Sequence, residues 1–239
     1  DVQLVPIGSA LTSPFLTEDN NEVLFSQSPQ HLQNIFTAVA PDFCVSSDLY
    51  NLYEEDDNRA SFFQVISSDS IALINKLDME ENMDHRVSDA LTLRTAEGYL
   101  NMAEACAMLD DPEANTYLNT LRRNRISNYV DQSYTGDELI EQVRLERRKE
   151  LCFEGHRWFD LRRYTVCERL PYHKSIRHDY HIYDADGNYS ATRVFVLGED
   201  ETNVWTFLIP ETVLEFDEEP MTNNVRDVRE EVEDLNDGE

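Results

Sequence analysis

From residue 88 onward, apolar positions fall on one helical face: Leu93, Ala96, Leu100, Ala103 and Ala107 recur at spacings of three and four, as a single buried stripe requires. The alanines let a partner helix approach closely. Asp111 and Pro112 predict a break and a restart, with Asp111 as N-cap and Pro112 in the first helical turn. Ala114, Leu118 and Leu121 then supply the facing stripe. The pair reads as an antiparallel helical hairpin of about 38 residues, close to a tetratricopeptide unit, and a single copy is visible. Thr135-Gly136-Asp137-Glu138 is a capping box that opens a third helix, with Ile140, Val143, Arg147 and Leu151 on one side. Gly155 bends or stops it, and Trp158, Phe159 and Leu161 mark a short fourth helix.

The flanks are less periodic. Upstream, a strand is expected over Val23 to Ser26, then a helix capped by Ser28 with Pro29 at its first position. Leu32, Ile35, Phe36 and Val39 form its apolar side. A short helix over Asp48 to Glu54 and a strand over Ser61 to Ile66 follow, and the stretch to about Arg86 is polar and irregular. Downstream of Tyr164 the pattern predicts a hairpin around Tyr183 to Val196, a final strand at WTFLIP, and a mobile or solvent-draped tail. That tail, Glu211 to Glu239, holds 12 acidic residues and two arginines. The expected fold is mainly α, built of tetratricopeptide-like helical hairpins with long loops and a few short strands. Three regions are expected: a loop-rich 1–87, a helical core 88–164, and an irregular 165–239.

Composition narrows this picture. Seven glycines in 239 residues are fewer than the usual share of about 7%, which disfavours a turn-rich all-β fold. The formal net charge of -28 repels phosphate backbones and argues against a nucleic-acid partner. Only three of the 20 basic residues are lysines (Lys76, Lys149, Lys174), a bias that resembles salt-adapted proteins. The four cysteines (Cys44, Cys106, Cys152, Cys167) form no CxxC pair, so neither a zinc ribbon nor a dense disulfide scaffold is expected. No long apolar run crosses a membrane. The chain opens on Asp1 without Met, as a processed protein or a fragment of a longer one would.

The densest chemistry lies in ERRKELCFEGHRWFDLRRY, residues 146–164, which gathers six of the basic residues. Glu150 and Glu154, four apart on a helix, have the spacing of a glycosidase pair. Arg147, Arg157 and Asp160 surround them at helical spacing and favour the ionised state, where a general acid needs a raised pKa. The expectation is therefore a structural ion network of Arg147, Glu150, Glu154, Arg157 and Asp160, with no catalytic residue. His178 and His181 have a metal-like spacing, but a strand or loop reading is preferred. Asp184, Asp186 and Asn188 mimic a calcium loop with Gly187 misplaced, and an Asp-Gly hairpin turn is preferred. No metal, cofactor or nucleophile motif is present.

Taken together, LRTAEGYLNMAEACAMLDDPEANTYLNTLRRNR (93–125) and LERRKELCFEGHRWFDLRRY (145–164) resemble the C-terminal signature of the SusD/RagB family of outer-membrane nutrient-binding lipoproteins. NEVLFS (21–26), LYNLYEEDDNRASFF (49–63) with its Asp-Arg pair, and FLIPETVLEFDEEPMTNN (207–224) are similar to flanking segments of that family. The likeness corresponds to the second half of a usual member. It implies a non-catalytic subunit that captures glycans or, in some members, peptides. It also implies docking on a SusC-like TonB-dependent transporter at the extracellular face of the outer membrane. Attachment would be through an N-terminal lipid that these residues do not carry.

Ligand contacts in such proteins tend to come from variable loops, so the segment Ser28 to Ser47 is the candidate here. His31 and Asn34 lie on the polar face of its expected helix, and Phe43 offers a ring on which a sugar can stack. The rival reading is a helical-repeat scaffold that binds a protein partner through the 88–125 hairpin.

The charge imbalance carries its own test. A fold with this excess of acid is self-repulsive at low ionic strength, so its melting temperature should rise from dilute buffer to molar potassium chloride. A flat or falling melting temperature would remove salt adaptation as an explanation of the composition.

Overall fold

The computed structural model describes residues 3–8, 20–26, 45–66, 71–74, 76, 92–216, 221–226 and 228–232. The chain divides into two compact units, Asp1–Arg157 and Trp158–Glu239. The expected helix carrying His31 and Asn34, and the loop carrying Phe43, lie outside the described residues.

The first unit is organised on three helices, α2 (Thr95–Met108), α3 (Glu113–Arg123) and α4 (Gly136–Glu150), preceded by a short α1 (Ser47–Tyr50). Ala96, Leu100, Ala103 and Ala107 are buried on α2, facing Ala114, Leu118 and Leu121 of α3. Leu139, Ile140 and Val143 of α4 complete the packing. The hairpin turn is made by two aspartates with separate tasks. Asp110 takes φ 56 and closes α2, its N–H bonding Ala107 O at 3.2 Å while Asp111 N bonds Cys106 O at 2.9 Å, a Schellman pattern. Asp111 then caps α3, its Oδ1 accepting from Glu113 N at 2.9 Å. Asn115 and Asn119, one turn apart on α3, hold the following coil: their amides donate to Tyr134 O and Gln132 O at 3.0 and 2.8 Å.

Two expectations about the helix starts need correction. The apolar stripe begins at Leu93, but the helix begins at Thr95, because Thr92–Arg94 form a strand, β4, antiparallel to β1 (Val23–Ser26). Thr135 is the N-cap of α4 yet makes no side-chain capping bond. Gly136 stands at φ 57, which departs from helical geometry at the position where the capping box needs it.

Ahead of β4, the expected strand from Ser61 starts two residues late. Residues Asn58–Phe62 form a 3-10 turn, and β2 (Phe63–Ile66) pairs antiparallel with β3 (Ile71–Ile74). Phe62, Phe63, Leu49, Val45, Ile7 and Cys152 form one apolar cluster, with Tyr53 edge-on to Phe63 at 5.1 Å.

The second unit carries most of α5 (His156–Thr165) and a sheet ordered β5 (Ile176–Tyr183), β6 (Tyr189–Leu197), β7 (Glu231–Val232). The Asp-Gly turn is present: Gly187 has φ 81, and Asp184 Oδ1 accepts from Asp186 N and Asn188 N at 2.9 and 2.8 Å. The hairpin alternation places His178 and His181 on opposite faces, so the pair cannot close on one ion. WTFLIP is not a strand. Trp205 ends a 3-10 turn, Thr202–Trp205, and is buried. The extended residues beyond it bond to side chains: Asn223 accepts from Ile209 N at 2.6 Å and donates to Ile209 O at 3.0 Å. The acidic tail is partly structured, since Glu211–Glu215 form a short helix, α6, and β7 adds a third strand. Among the described residues no helix is long and apolar enough to cross a membrane.

Gly98 sits inside α2 with nothing within 4 Å of where a Cβ would stand. Gly98→Ala should therefore raise stability by about 0.5–1 kcal/mol, through helix propensity and a less flexible unfolded chain, read as an upward shift of the denaturation midpoint.

Candidate functional site

α4 sets Glu146 and Glu150 one turn apart, and the turn beyond it, with Phe153 at φ 62 and Gly155 at φ 80, returns Glu154 to the same side. All three carboxylates are out of water, a position that requires counter-charges and hydrogen bonds inside the fold. Arg94, the last residue of β4, forks onto Glu154 through Nε and Nη2 at 2.6 and 2.8 Å, and its Nη1 reaches Glu150 at 2.6 Å. Arg125, just after α3, donates to Glu150 from Nε at 3.0 Å and to both oxygens of Glu22 from Nη2 at 2.7 and 2.9 Å. Arg59 forks onto Asp57 at 2.8 Å through Nε and Nη2, and its Nη1 pairs with Glu150 at 3.0 Å and Glu146 at 2.6 Å. Lys76 pairs with Glu154 and donates to Glu150 O and Cys152 O at 2.6 and 3.0 Å. Arg122 meets Glu146 at 2.6 Å, and Lys149 meets Asp57 at 2.5 Å.

This arrangement decides the ionisation of the acidic pair. Burial pushes the Glu150 carboxyl up, but the guanidiniums of Arg125, Arg94 and Arg59 together hold it well below the usual carboxylate range. Burial likewise opposes Arg94 and Lys76 at Glu154, and Arg59, Arg122 and Lys149 at Glu146, and the cations prevail at both. A carboxylate so held is ionised at neutral pH and has no proton to give as a general acid.

Of the residues expected in this network, Glu150 and Glu154 are at its centre. Arg147 is turned instead to Asn101 Oδ1 at 2.8 Å, with Glu97 at 3.9 Å. Asp160 belongs to the second unit and pairs with Arg163 at 3.0 Å. Arg157 is half-buried at the start of α5. Helical spacing could not have shown the cations that hold Glu150 and Glu154, because Arg59, Lys76, Arg94 and Arg125 are remote in sequence. Two signals were available: the Asp57-x-Arg59 pair, and Arg94, which interrupts the apolar stripe between Leu93 and Ala96.

Arg94 also borders an open groove of about 580 Å³. Strand alternation at β4 sends Arg94 inward and Leu93 outward, and the groove is lined by Leu24, Leu93, Met102, Tyr99 and Tyr117, with Glu97 and Asn101 as polar members. Tyr99 and Tyr117 meet edge to face at 6.3 Å. Hydrocarbon and ring faces dominate, which suits contact more than chemistry. Among the described residues no group of three or more His, Cys, Asp or Glu could hold a metal ion.

Residues 72–224 match the SusD family. A SusD-like carbohydrate binding protein from Bacteroides vulgatus is similar in structure, with TM-score 0.50 and 22% identity, over 80% of this chain and 44% of that one. A second Bacteroides vulgatus protein, named for sugar binding, aligns with TM-score 0.45 and 23% identity over 72% and 36% of the two chains. The chain thus spans less than half the length of these solved proteins, and the likeness concerns the fold. No curated protein matches the sequence.

Removing one cation should show what the cluster holds together. Arg94→Ala leaves Glu150 and Glu154 short of charge in a dry site and should cost about 3–5 kcal/mol, measured by denaturant unfolding, whereas Arg123→Ala, at the exposed pair with Asp131, should leave the unfolding midpoint nearly where it was. Acid should act on the same groups. The carboxyls of Asp57, Glu146, Glu150 and Glu154 are held below ordinary values of 3.8 for Asp and 4.5 for Glu. Their stabilisation is complete above those values and is lost as pH falls through the lower folded ones. The unfolding midpoint should therefore hold down to about pH 5 and drop below about pH 4. A midpoint that rises on acidification through that range would show that relief of surface repulsion outweighs the cluster.

Proposed function

The chain belongs to the SusD family, and from that membership we propose that it is a non-catalytic carbohydrate-binding subunit of an outer-membrane nutrient uptake system. In this reading it sits at the extracellular face, attached through an N-terminal lipid and docked on a SusC-like TonB-dependent transporter, and its ligand is a glycan or, less favoured, a peptide. The observation that carries the non-catalytic part is the state of Glu150 and Glu154. That pair, four apart in sequence, is buried, ionised and spent on Arg59, Lys76, Arg94 and Arg125. We propose that this cluster is structural, and that ligand contact comes from His31, Asn34 and Phe43, with the Phe43 ring stacking on a sugar and Asn34 fixing its orientation.

A helical-repeat scaffold for a protein partner is the second reading, and the apolar groove beside α2 favours it. Under that reading Leu93→Glu should abolish association with the partner and leave glycan binding untouched.

The test is titration of the protein with oligosaccharides, followed by mass analysis of the recovered sugar. Phe43→Ala should weaken binding without moving the melting temperature, and the sugar should be recovered intact. Cleaved product would overturn the non-catalytic reading, and a lowered melting temperature for Phe43→Ala would return that ring to the core.

A further inference from the structure

The second unit carries an aromatic feature that neither the charge cluster nor the proposed ligand segment uses. Residues 172–189 hold four of the 11 tyrosines and three of the six histidines. In the β5–β6 hairpin His181 faces Thr192, and a bulge between Ile182 and Tyr183 shifts the register so that Tyr183 faces Tyr189. Such a bulge re-aims side chains, and here it places two tyrosines beside each other at the tip. Their rings stand at 78° with centroids 6.2 Å apart, and His181 is edge-on to Tyr189 at 6.1 Å. Tyr183 and Tyr189 are 58% and 61% exposed, although burial is the usual lot of rings that pack for stability.

The corner is fixed in place. The Tyr189 hydroxyl is hydrogen-bonded to Thr192 Oγ1 at 2.8 Å, and the same oxygen meets His181 Nδ1 at 2.8 Å. The ring of Tyr189 is thus held by its own polar end, which lowers the entropy lost when something settles on its face. Two rings at a right angle offer one face to stack on and one edge to close against. Hydroxyl, imidazole and the Asn188 amide next in sequence add hydrogen-bonding partners.

Charge narrows the ligand. In a chain of net charge -28 the hairpin is nearly neutral: Arg177 pairs with Asp179 at 2.7 Å and Arg193 with Glu231 at 3.5 Å, while Asp184 is spent on main-chain N–H groups of the turn. An anionic ligand meets no cationic patch here and is repelled by the rest of the molecule. A cation finds at the rings only the two turn carboxylates, Asp184 and Asp186, the first of which already accepts main-chain N–H groups. A flat, uncharged, hydroxylated ligand fits both the rings and their polar neighbours.

We propose that the Tyr183–Tyr189 corner is a carbohydrate-binding surface, made of residues other than His31, Asn34 and Phe43, that takes neutral oligosaccharides. The choice of a sugar rests on the carbohydrate-binding reading above; the existence of a built aromatic corner does not.

Calorimetric titration of the whole chain with neutral hexaoses of α1,4-glucose, β1,4-glucose, β1,4-xylose and β1,4-mannose tests it, with a galacturonate hexaose as the charged comparison. The joint variant Tyr183→Ala with Tyr189→Ala should weaken the best neutral hexaose by about tenfold at an unchanged melting temperature. Tyr189→Phe, which keeps the ring, should retain more of the affinity, and Tyr172→Ala, outside the corner, should match the unmodified protein. Unmodified protein that binds a hexaose with the joint variant equal to it would overturn the hairpin site and leave the carbohydrate reading standing. Absence of binding to any neutral hexaose by the unmodified protein would overturn both. Preference for the galacturonate, or a change in sedimentation with sugar affinity intact, would also sink the proposal, the latter pointing to a second copy of the chain as occupant.

Discussion

A carboxylate at zero exposure must be neutralised or left at a cost of several kcal/mol, and Glu150 meets that demand with guanidiniums from residues 59, 94 and 125. Each of those residues lies close to an element boundary: Arg59 in the 3-10 turn before β2, Arg94 at the junction of β4 and α2, Arg125 just past α3. One side chain of α4 therefore fixes where three other segments must pass. Glu22 ties β1 to the same point through Arg94 and Arg125, and Lys76 ties in the segment after β3. The apolar stripes of α2, α3 and α4 can bring the helices together, but packing alone tolerates rotation and slippage. A set of forked ion pairs does not, because a shift of about an ångström strands charges in a dry interior.

The choice of arginine follows from the same geometry. A guanidinium presents donors in a plane and serves two or three carboxylates at once, as Arg94 and Arg125 do. Lysine offers a point charge. Two of the three lysines, Lys76 and Lys149, are in this interior, so the rarity of lysine is above all a property of the surface. The cluster takes up basic and acidic groups in near balance among the described residues, which leaves the remaining surface more dominated by acid than the bulk composition states. Interior and surface thus differ: charge is nearly balanced inside the cluster, while acid is in excess outside it.

What could be read from the sequence divides along the range of the interactions concerned. Periodicity is local, and it located α2, α3, α4 and α5, because one buried face per helix is a constraint visible within a dozen residues. The turn at Asp110–Asp111 was legible for the same reason. Boundaries were lost where a neighbour intervened: Leu93 continues the apolar stripe of α2 but is held in β4 by pairing with Phe25. WTFLIP has strand composition, yet the main chain of Ile209 bonds to Asn223, a side chain 14 residues away, and Thr206 O accepts from Arg226. The ion cluster marks the limit most clearly. Glu150 and Glu154 were recognisable as an acidic pair needing cations, but helical spacing reaches only near neighbours, while the fold brings Arg94 and Arg125 from 56 and 25 residues away. Long-range electrostatic demand can be stated from a sequence; who meets it cannot.

The division of labour that results bears on what such a molecule can do. A catalytic carboxylate needs an environment that leaves one proton state within reach of the other, and Asp57, Glu146, Glu150 and Glu154 are matched to cations that remove that freedom. The same matching makes the scaffold stiff, and a stiff scaffold lowers the ordering cost paid when an exposed ring or amide receives a ligand. The exposed aromatic residues beside α2, in the same unit as the cluster, gain from this arrangement without taking part in it. In this interior, charged groups hold the fold, while the apolar and aromatic groups beside α2 are left at the surface, open to contact.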